Sequence, residues 1–285
     1  MTTRYLITGA AGMLGRDLQR ALAGRDVTAV DRNELDITDL AAVREAVTGH
    51  DVIINAAAYT AVDAAEENEA AAYLVNAIGP RNLAVGAAAV SAKLVQISTD
   101  YVFDGSGSSP YPEDTAIDPI NAYGRTKAAG EQFVLTEHPT GSYIVRTAWL
   151  YGAHGPNFGR TMLTLAAGRD TVSVVADQFG QPTWTRDLAA QIVAMLDADA
   201  PAGIYHGTNS GQTNWFGFAR AVFETAGLDA ERVLPTDGSK FVRPAPRPAY
   251  SVLGHDAWAN AGLAPMRPWA DALKDAAEHG AFTPS

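Results

Sequence analysis

The sequence predicts an α/β fold, a doubly wound parallel sheet with a smaller, discontinuous C-terminal lobe. Three observations lead to it. Short β-branched runs alternate with Ala-rich helical stretches through the first 150 residues, the first run ends in a glycine-rich turn, and beyond residue 150 the rhythm weakens.

Taken in order, the predicted strands are RYLIT (4–8), VTAV (27–30), DVIIN (51–55), KLVQIS (93–98) and SYIVRT (142–147). Their nearly continuous apolar character predicts burial on both faces, as in a parallel sheet covered by crossover helices. MLGRDLQRALA (13–23) and the stretch 64–90 are rich in Ala and Leu and are expected to be helical. Later segments such as PNFGRTM, FGQPTWT and VRPAPRPAYS bring Pro, Gly and Trp forward, which predicts a less regular lobe. TVSVV (171–175) and RDLAAQIVAML (186–196) are regular enough to be expected back at the main sheet. The predicted division is therefore 1–150 plus a returning 171–197, against a second lobe drawn mostly from 151–285.

With 285 residues, 47% hydrophobic and 19% charged, the chain can bury one large core and a smaller one. The net charge of -11 repels a phosphodiester backbone, so no nucleic-acid partner is expected. The absence of cysteine excludes a disulfide framework, a thiolate metal cage and a thiol nucleophile. MTTRYLITGAAG runs straight into a strand without a signal-peptide pattern, and Leu83–Val90 is too short to span a bilayer. A cytoplasmic protein without membrane attachment is expected. The six histidines show no HxxH or HExxH spacing, so no metal is assigned.

The first turn, Gly9-Ala10-Ala11-Gly12-Met13-Leu14-Gly15, stands between a strand and a helix, the context a pyrophosphate site requires in a Rossmann-type sheet. Gly9 permits the tight turn, Gly12 lets the backbone approach phosphate, and Gly15 lets the helix pack closely on the strand. Its GxxGxxG spacing is one residue wider than GxGxxG. Asp31 ends the second strand 22 residues after Gly9, where a carboxylate can bind ribose hydroxyls, and Arg32 follows it, where a guanidinium can accept a 2′-phosphate. NADH and NADPH both remain open. Asp36, Ile37 and the small residues Ala56, Ala57 and Ala58 are candidates to line the adenosine.

A second constellation is Ser98-Thr99-Asp100-Tyr101 at the end of the fourth strand, followed by Tyr123 and Lys127 four residues apart on one helix face. A nearby ammonium is expected to lower the Tyr123 pKa, so that the phenol exchanges a proton with a substrate alkoxide while Thr99 bonds the same oxygen.

The segments GAAGMLG, NAAAYTAVDAAE, ISTDYVFDG, NAYGRTKAAGE, VRTAWLYG and DQFGQPT together resemble the extended short-chain dehydrogenase/reductases, and within them the dTDP-4-dehydrorhamnose reductase family, over nearly the whole chain. The resemblance implies a catalytic trio of Thr99, Tyr123 and Lys127, with Tyr123 and Lys127 also touching the cofactor beside Met13 and Leu14 of the turn. It implies substrate contacts from Thr99, Asp100, Tyr123, Trp149, Asn157, Gln178 and Arg247, the last suiting a diphosphate. The implied reaction is NADPH- or NADH-dependent reduction of a dTDP-linked 4-keto-6-deoxy sugar to dTDP-L-rhamnose for cell-envelope polysaccharide, and a homodimer is left open. Alternatives are an epimerase or dehydratase holding NAD tightly, and a non-catalytic regulatory subunit. Related dehydratases carry an Asp-Glu pair after the Thr, whereas here Asp100 is followed by Tyr101.

Overall fold

The computed structural model describes residues 2–282. Its first half runs β1 (Arg4–Thr8), α1 (Met13–Ala21), β2 (Asp26–Val30), α2 (Leu40–Val47), β3 (Val52–Asn55), α3 (Val62–Glu67), α4 (Glu69–Tyr73), α5 (Gly79–Val90), β4 (Lys93–Thr99), α6 (Ala122–Glu137) and β5 (Ser142–Thr147). The second half runs β6 (Leu150–Tyr151), α7 (Phe158–Gly168), β7 (Val172–Val175), β8 (Phe179–Gly180), β9 (Thr183–Trp184), α8 (Thr185–Asp197) and β10 (Gly203–His206). It ends with β11 (Thr213–Asn214), α9 (Trp215–Thr225), β12 (Val233–Thr236), α10 (Asp256–Asn260) and α11 (Trp269–Glu278).

Six strands pair wholly in parallel in the order β10-β5-β4-β3-β1-β2. Side-chain alternation sends neighbouring residues to opposite faces. Ile7, Ile54, Val95 and Val145 meet Leu18 of α1 and Leu188 and Ile192 of α8. Leu6, Ile53, Leu94 and Ile144 meet Val43 of α2 and Leu83 and Ala87 of α5 on the other face. The strand order turns about β1, so the crevice beyond its carboxyl end is the switch point where such sheets bind ligands. A separate core of Tyr151, Trp184, Phe218, Phe223, Leu273 and Phe282 builds the second lobe.

Two expectations are corrected. β2 is not buried on both faces, because it is the edge strand and much of DVTAV is exposed. The stretch 64–90 is helical as expected, divided into α3, α4 and α5 at Asn68 and by a π turn over Leu74–Ile78. Segment 171–197 divides, since β7 pairs with β12 in a two-stranded sheet of its own while α8 packs on α1 against the main sheet. The sixth sheet position belongs to β10, which the sequence pattern did not single out.

A column of buried polar groups ties four elements together. Arg146 of β5 and Glu131 of α6 pair at 2.7 Å with both side chains 2% exposed, Ser98 of β4 donates to the same carboxylate, and Arg146 Nη1 lies 3.4 Å from His206 of β10. Burial and the neighbouring guanidinium push the His206 imidazole down to about 3. Among the described residues no helix is long and apolar enough to cross a membrane.

Candidate active site

The turn after β1 is shaped by contacts only glycine allows. Gly9 has φ +69°, and a Cβ there would lie 2.5 Å from Ala57 N, so β1 can turn directly against the end of β3. A Cβ on Gly15 would lie 2.3 Å from Gly9 O, so this glycine sets how closely α1 approaches the turn. Gly12 is the N-cap of α1 and offers no side-chain cap, which leaves N–H groups at the helix start for an anion. Behind the turn, buried Asn55 accepts from Thr8 at 2.6 Å and from Ala57 N at 3.1 Å, and donates to Gln96 at 2.7 Å. Asp31 accepts from Ala11 N at 3.1 Å and from Arg32 N at 2.9 Å. Open backbone donors at the helix start and a strand-end carboxylate on the same cavity fit a dinucleotide.

A cavity of about 1660 Å3 extends from this turn to the end of β4 and under the second lobe. Asn121 caps α6 by accepting from Gly124 N at 2.7 Å, which starts the helix so that Tyr123 and Lys127 face the cavity. Thr99 donates its hydroxyl to Asp100 Oδ1 at 2.9 Å and accepts from Tyr101 N at 3.2 Å. Lys127 Nζ donates to Ile97 O at 2.6 Å. Burial lowers the Lys127 ammonium to about 8, and the Glu131 carboxylate one turn away works against that shift.

Tyr123 departs from expectation. Its phenol is raised, not lowered, because the partial burial of the ring disfavours the charged form and the Asp100 carboxylate stands close by, while hydrogen bonding from Thr99 acts in the other direction. Asp100 itself is 2% exposed, burial pushes it up to about 6, and its Oδ2 has no hydrogen-bond partner. A neutral phenol is thus held beside a carboxylate that has an unused acceptor.

The cavity gathers Gly9, Gly12, Met13, Leu14, Gly15, Asp31, Arg32, Asp36, Ile37, Ala56, Ala57, Ala58, Thr99, Asp100, Tyr123, Lys127 and Trp149 along one wall system. Three expected substrate contacts lie outside that lining. Asn157 caps α7, accepting from Arg160 N and donating to Gly152 O and Ala281 O, so its amide is committed to backbone. Gln178 lies against Gly238, and Arg247 is paired with Asp63.

Other residues of the site carried no local motif. Trp149, in the left-handed region at φ +47°, stacks on Trp215 with centroids 3.6 Å apart, and Trp215 also lines the cavity. Buried Asn76, in the π turn, accepts from Tyr59 N at 2.8 Å and donates to Tyr59 O at 3.0 Å and Thr126 at 3.1 Å. It thereby joins the loop after β3 to the helix of Tyr123 and Lys127. A polar residue within an Ala-rich helical run was its only signal.

The family model described as the RmlD substrate binding domain matches residues 3–281. A dTDP-4-dehydrorhamnose reductase from Streptomyces griseus is 54% identical over 280 residues, covering 95% of this chain and 92% of that protein. A dTDP-4-keto-6-deoxy-D-glucose reductase from Streptomyces niveus is 52% identical over 280 residues, covering 97% of each. The crystal structure of dTDP-4-dehydrorhamnose reductase from Bacillus anthracis in complex with NADP aligns with a TM-score of 0.94 at 42% identity, covering 98% of this chain and 100% of that one. With the family match running almost from end to end, and over half of all aligned positions shared with a relative of similar length, this chain belongs to the RmlD family, the dTDP-4-dehydrorhamnose reductases.

Proposed function

We propose that this chain reduces the C4 keto group of dTDP-4-dehydro-L-rhamnose to the alcohol, giving dTDP-L-rhamnose, with NADPH or NADH as reductant. The observation that carries the reading is that Thr99, Tyr123 and Lys127 open onto the same cavity as the glycine turn. The reduced nicotinamide, when bound, supplies a hydride to C4. Tyr123, neutral through burial and the charge of Asp100, holds the proton that the C4 oxygen takes up. The Thr99 hydroxyl, donated to Asp100 in this structure, can turn to the same oxygen. Lys127 is still mostly charged at neutral pH and stabilises the phenolate left by the transfer. Elimination of water from a hexose would need a second base to remove the C5 proton, and Tyr101, raised by burial, does not supply one.

Reduced nicotinamide and nucleotide sugars are both made in the cytoplasm, which supports that location. The product is an activated deoxysugar, the class of donor that polysaccharide glycosyltransferases consume. The Streptomyces niveus relative favours a second reading, in which the sugar is the dTDP-4-keto-6-deoxy-D-glucose of that protein's name.

The test supplies dTDP-4-dehydro-L-rhamnose or dTDP-4-keto-6-deoxy-D-glucose, which differ in configuration at C3 and C5, with NADPH or NADH and follows loss of reduced nicotinamide absorbance. Turnover of the L-sugar supports the first reading, and turnover of the D-sugar alone replaces it with the second. A 4-keto product from dTDP-glucose without added reduced cofactor would replace both with a dehydratase.

A further inference from the structure

The start of the Tyr123 helix and the Pro-rich segment of the second lobe meet at one side chain. Asn121, two residues before Tyr123, has no exposed surface, and its amide is divided between two elements. Oδ1 accepts from Gly124 N at 2.7 Å and so starts α6, while Nδ2 donates to Pro246 O at 3.0 Å, 125 residues further along the chain. Serine or aspartate caps a helix about as well, so the cap alone does not call for an amide. We propose that Asn121 is a positioning residue, which sets the distance between Arg247, holding the diphosphate of the nucleotide sugar, and Tyr123, holding the proton for C4. This rests on the function proposed above, with Arg247 as a diphosphate contact, and goes beyond it.

Both sides of the link are short and stiff. On the catalytic side, Ala122 N donates to Glu66 Oε1 at 2.8 Å, and a Cβ on Gly124 would lie 2.1 Å from Tyr101 O, so the first turn of α6 sits flush on the chain that follows β4. On the other side, Pro246 and Pro248 flank Arg247 and hold φ at about −65°. Arg247 Nη1 donates back to Ala245 O at 2.6 Å. Ala245 is buried, and a Cβ on Gly105 would lie 2.3 Å from Pro248 Cβ, which wedges the segment against the loop after β4. Arg247 also stands close enough to Tyr101 to favour its phenolate against the burial that opposes it, and Tyr101 packs edge-on to Tyr123 with centroids 5.9 Å apart.

A substrate gripped at its diphosphate and protonated at its C4 oxygen is aligned only if grip and proton donor keep a fixed separation. A misplacement of about 1 Å can cost about 10²-fold in rate. Without the Nδ2 donor, Arg247 grips in a shifted register and draws C4 away from Tyr123, so turnover falls while binding persists. Without Arg247 there is no grip to be misplaced.

The experiment measures kcat and KM of Asn121→Asp and Asn121→Ser, each alone and combined with Arg247→Ala, on whichever dTDP-linked 4-keto sugar the wild type turns over. Both variants keep a good N-cap, but Asp turns a carboxylate on Pro246 O and Ser is too short to reach it; Ser also buries no charge, should the aspartate fail to fold. With Arg247 present, each should lower kcat about tenfold with KM within about threefold. In the Arg247→Ala background the same substitutions should change kcat by less than about threefold. An equal kcat loss in both backgrounds overturns the proposal, since a displaced helix start misplaces Tyr123 whatever Arg247 does. Wild-type kcat in both variants overturns it too, as does failure of both to fold. Turnover of neither sugar by the wild type overturns the function reading, and this proposal with it.

Discussion

Arg247, in the Pro-rich segment of the second lobe, donates through Nη1 to the Asp63 carboxylate of α3 at 2.7 Å, and Arg243 approaches the same carboxylate at 3.5 Å. Two cations share one acid, so a surplus positive charge stands beside Tyr101 at the mouth of the candidate sugar site. Asn121 Nδ2 pins the segment further by donating to Pro246 O at 3.0 Å. Arg247→Ala should raise KM for the nucleotide sugar about tenfold with kcat within about threefold, because a remote diphosphate contact is made equally in ground and transition states. Loss of the partly exposed pair should cost about 1 kcal/mol of stability. Steady-state kinetics and urea denaturation check both, and a fall in kcat at constant KM would place Arg247 at the reacting end.

Tyr123→Phe removes the proton donor and leaves the ring packed against Tyr101 at 5.9 Å. Turnover should fall ~10²- to 10⁴-fold while cofactor affinity changes little. Retention of more than about half the wild-type rate would take the acid role away from Tyr123.

Lys127 is a base whose pKa burial depresses to about 8, so its charged form predominates below pH 8 and is lost above it. Since the charged form stabilises the Tyr123 phenolate, kcat/KM should be level near neutrality and fall with rising pH through about 8. Lys127→Met should be slow and lack that limb. An unchanged alkaline limb in the variant would assign it to another group.

Asp100 is an acid whose pKa burial raises to about 6, from 3.8. The fold disfavours its charged form, so the penalty is absent below the unfolded pKa and grows as pH rises through about 6. Asp100→Asn should therefore be more stable than wild type at pH 8, by up to about 3 kcal/mol, with the gap closing toward pH 4. The same variant should turn over poorly, since the carboxylate beside Thr99 and Tyr123 is gone. Equal stability of the two proteins at pH 8 would mean that Asp100 is solvated or hydrogen-bonded well enough to carry its charge freely.

β1, β3, β4 and β5 are legible in the sequence because two buried faces leave an unbroken apolar run. β10 is not, because a strand of four residues led by Gly203, ending in His206 and paired along one edge only has no such run. The apolar residues of β7 are visible, yet a short run says nothing about which strand it pairs with, and β12 lies about 60 residues away. In the site, the glycine turn, Thr99, Tyr123 and Lys127 are legible because each role depends on neighbours close in sequence. Trp215, Asn76 and Asp63 take theirs from partners 66, 17 and 184 residues distant. Tyr123 shows the same division, since its position is local but the direction of its pKa is set by tertiary burial and Asp100.

β10 enters the first lobe's sheet only after the chain has left to build much of the second. During synthesis on the ribosome, β5 must wait with one hydrogen-bonding edge open until His206 has emerged, although all six of its residues are buried in the finished protein. A nascent chain in that interval offers an adhesive edge to its neighbours on the same polysome. The interleaving also means that a cut at residue 150 does not separate two modules: it leaves one fragment without a sheet neighbour for β5 and the other with a strand that has nothing to join.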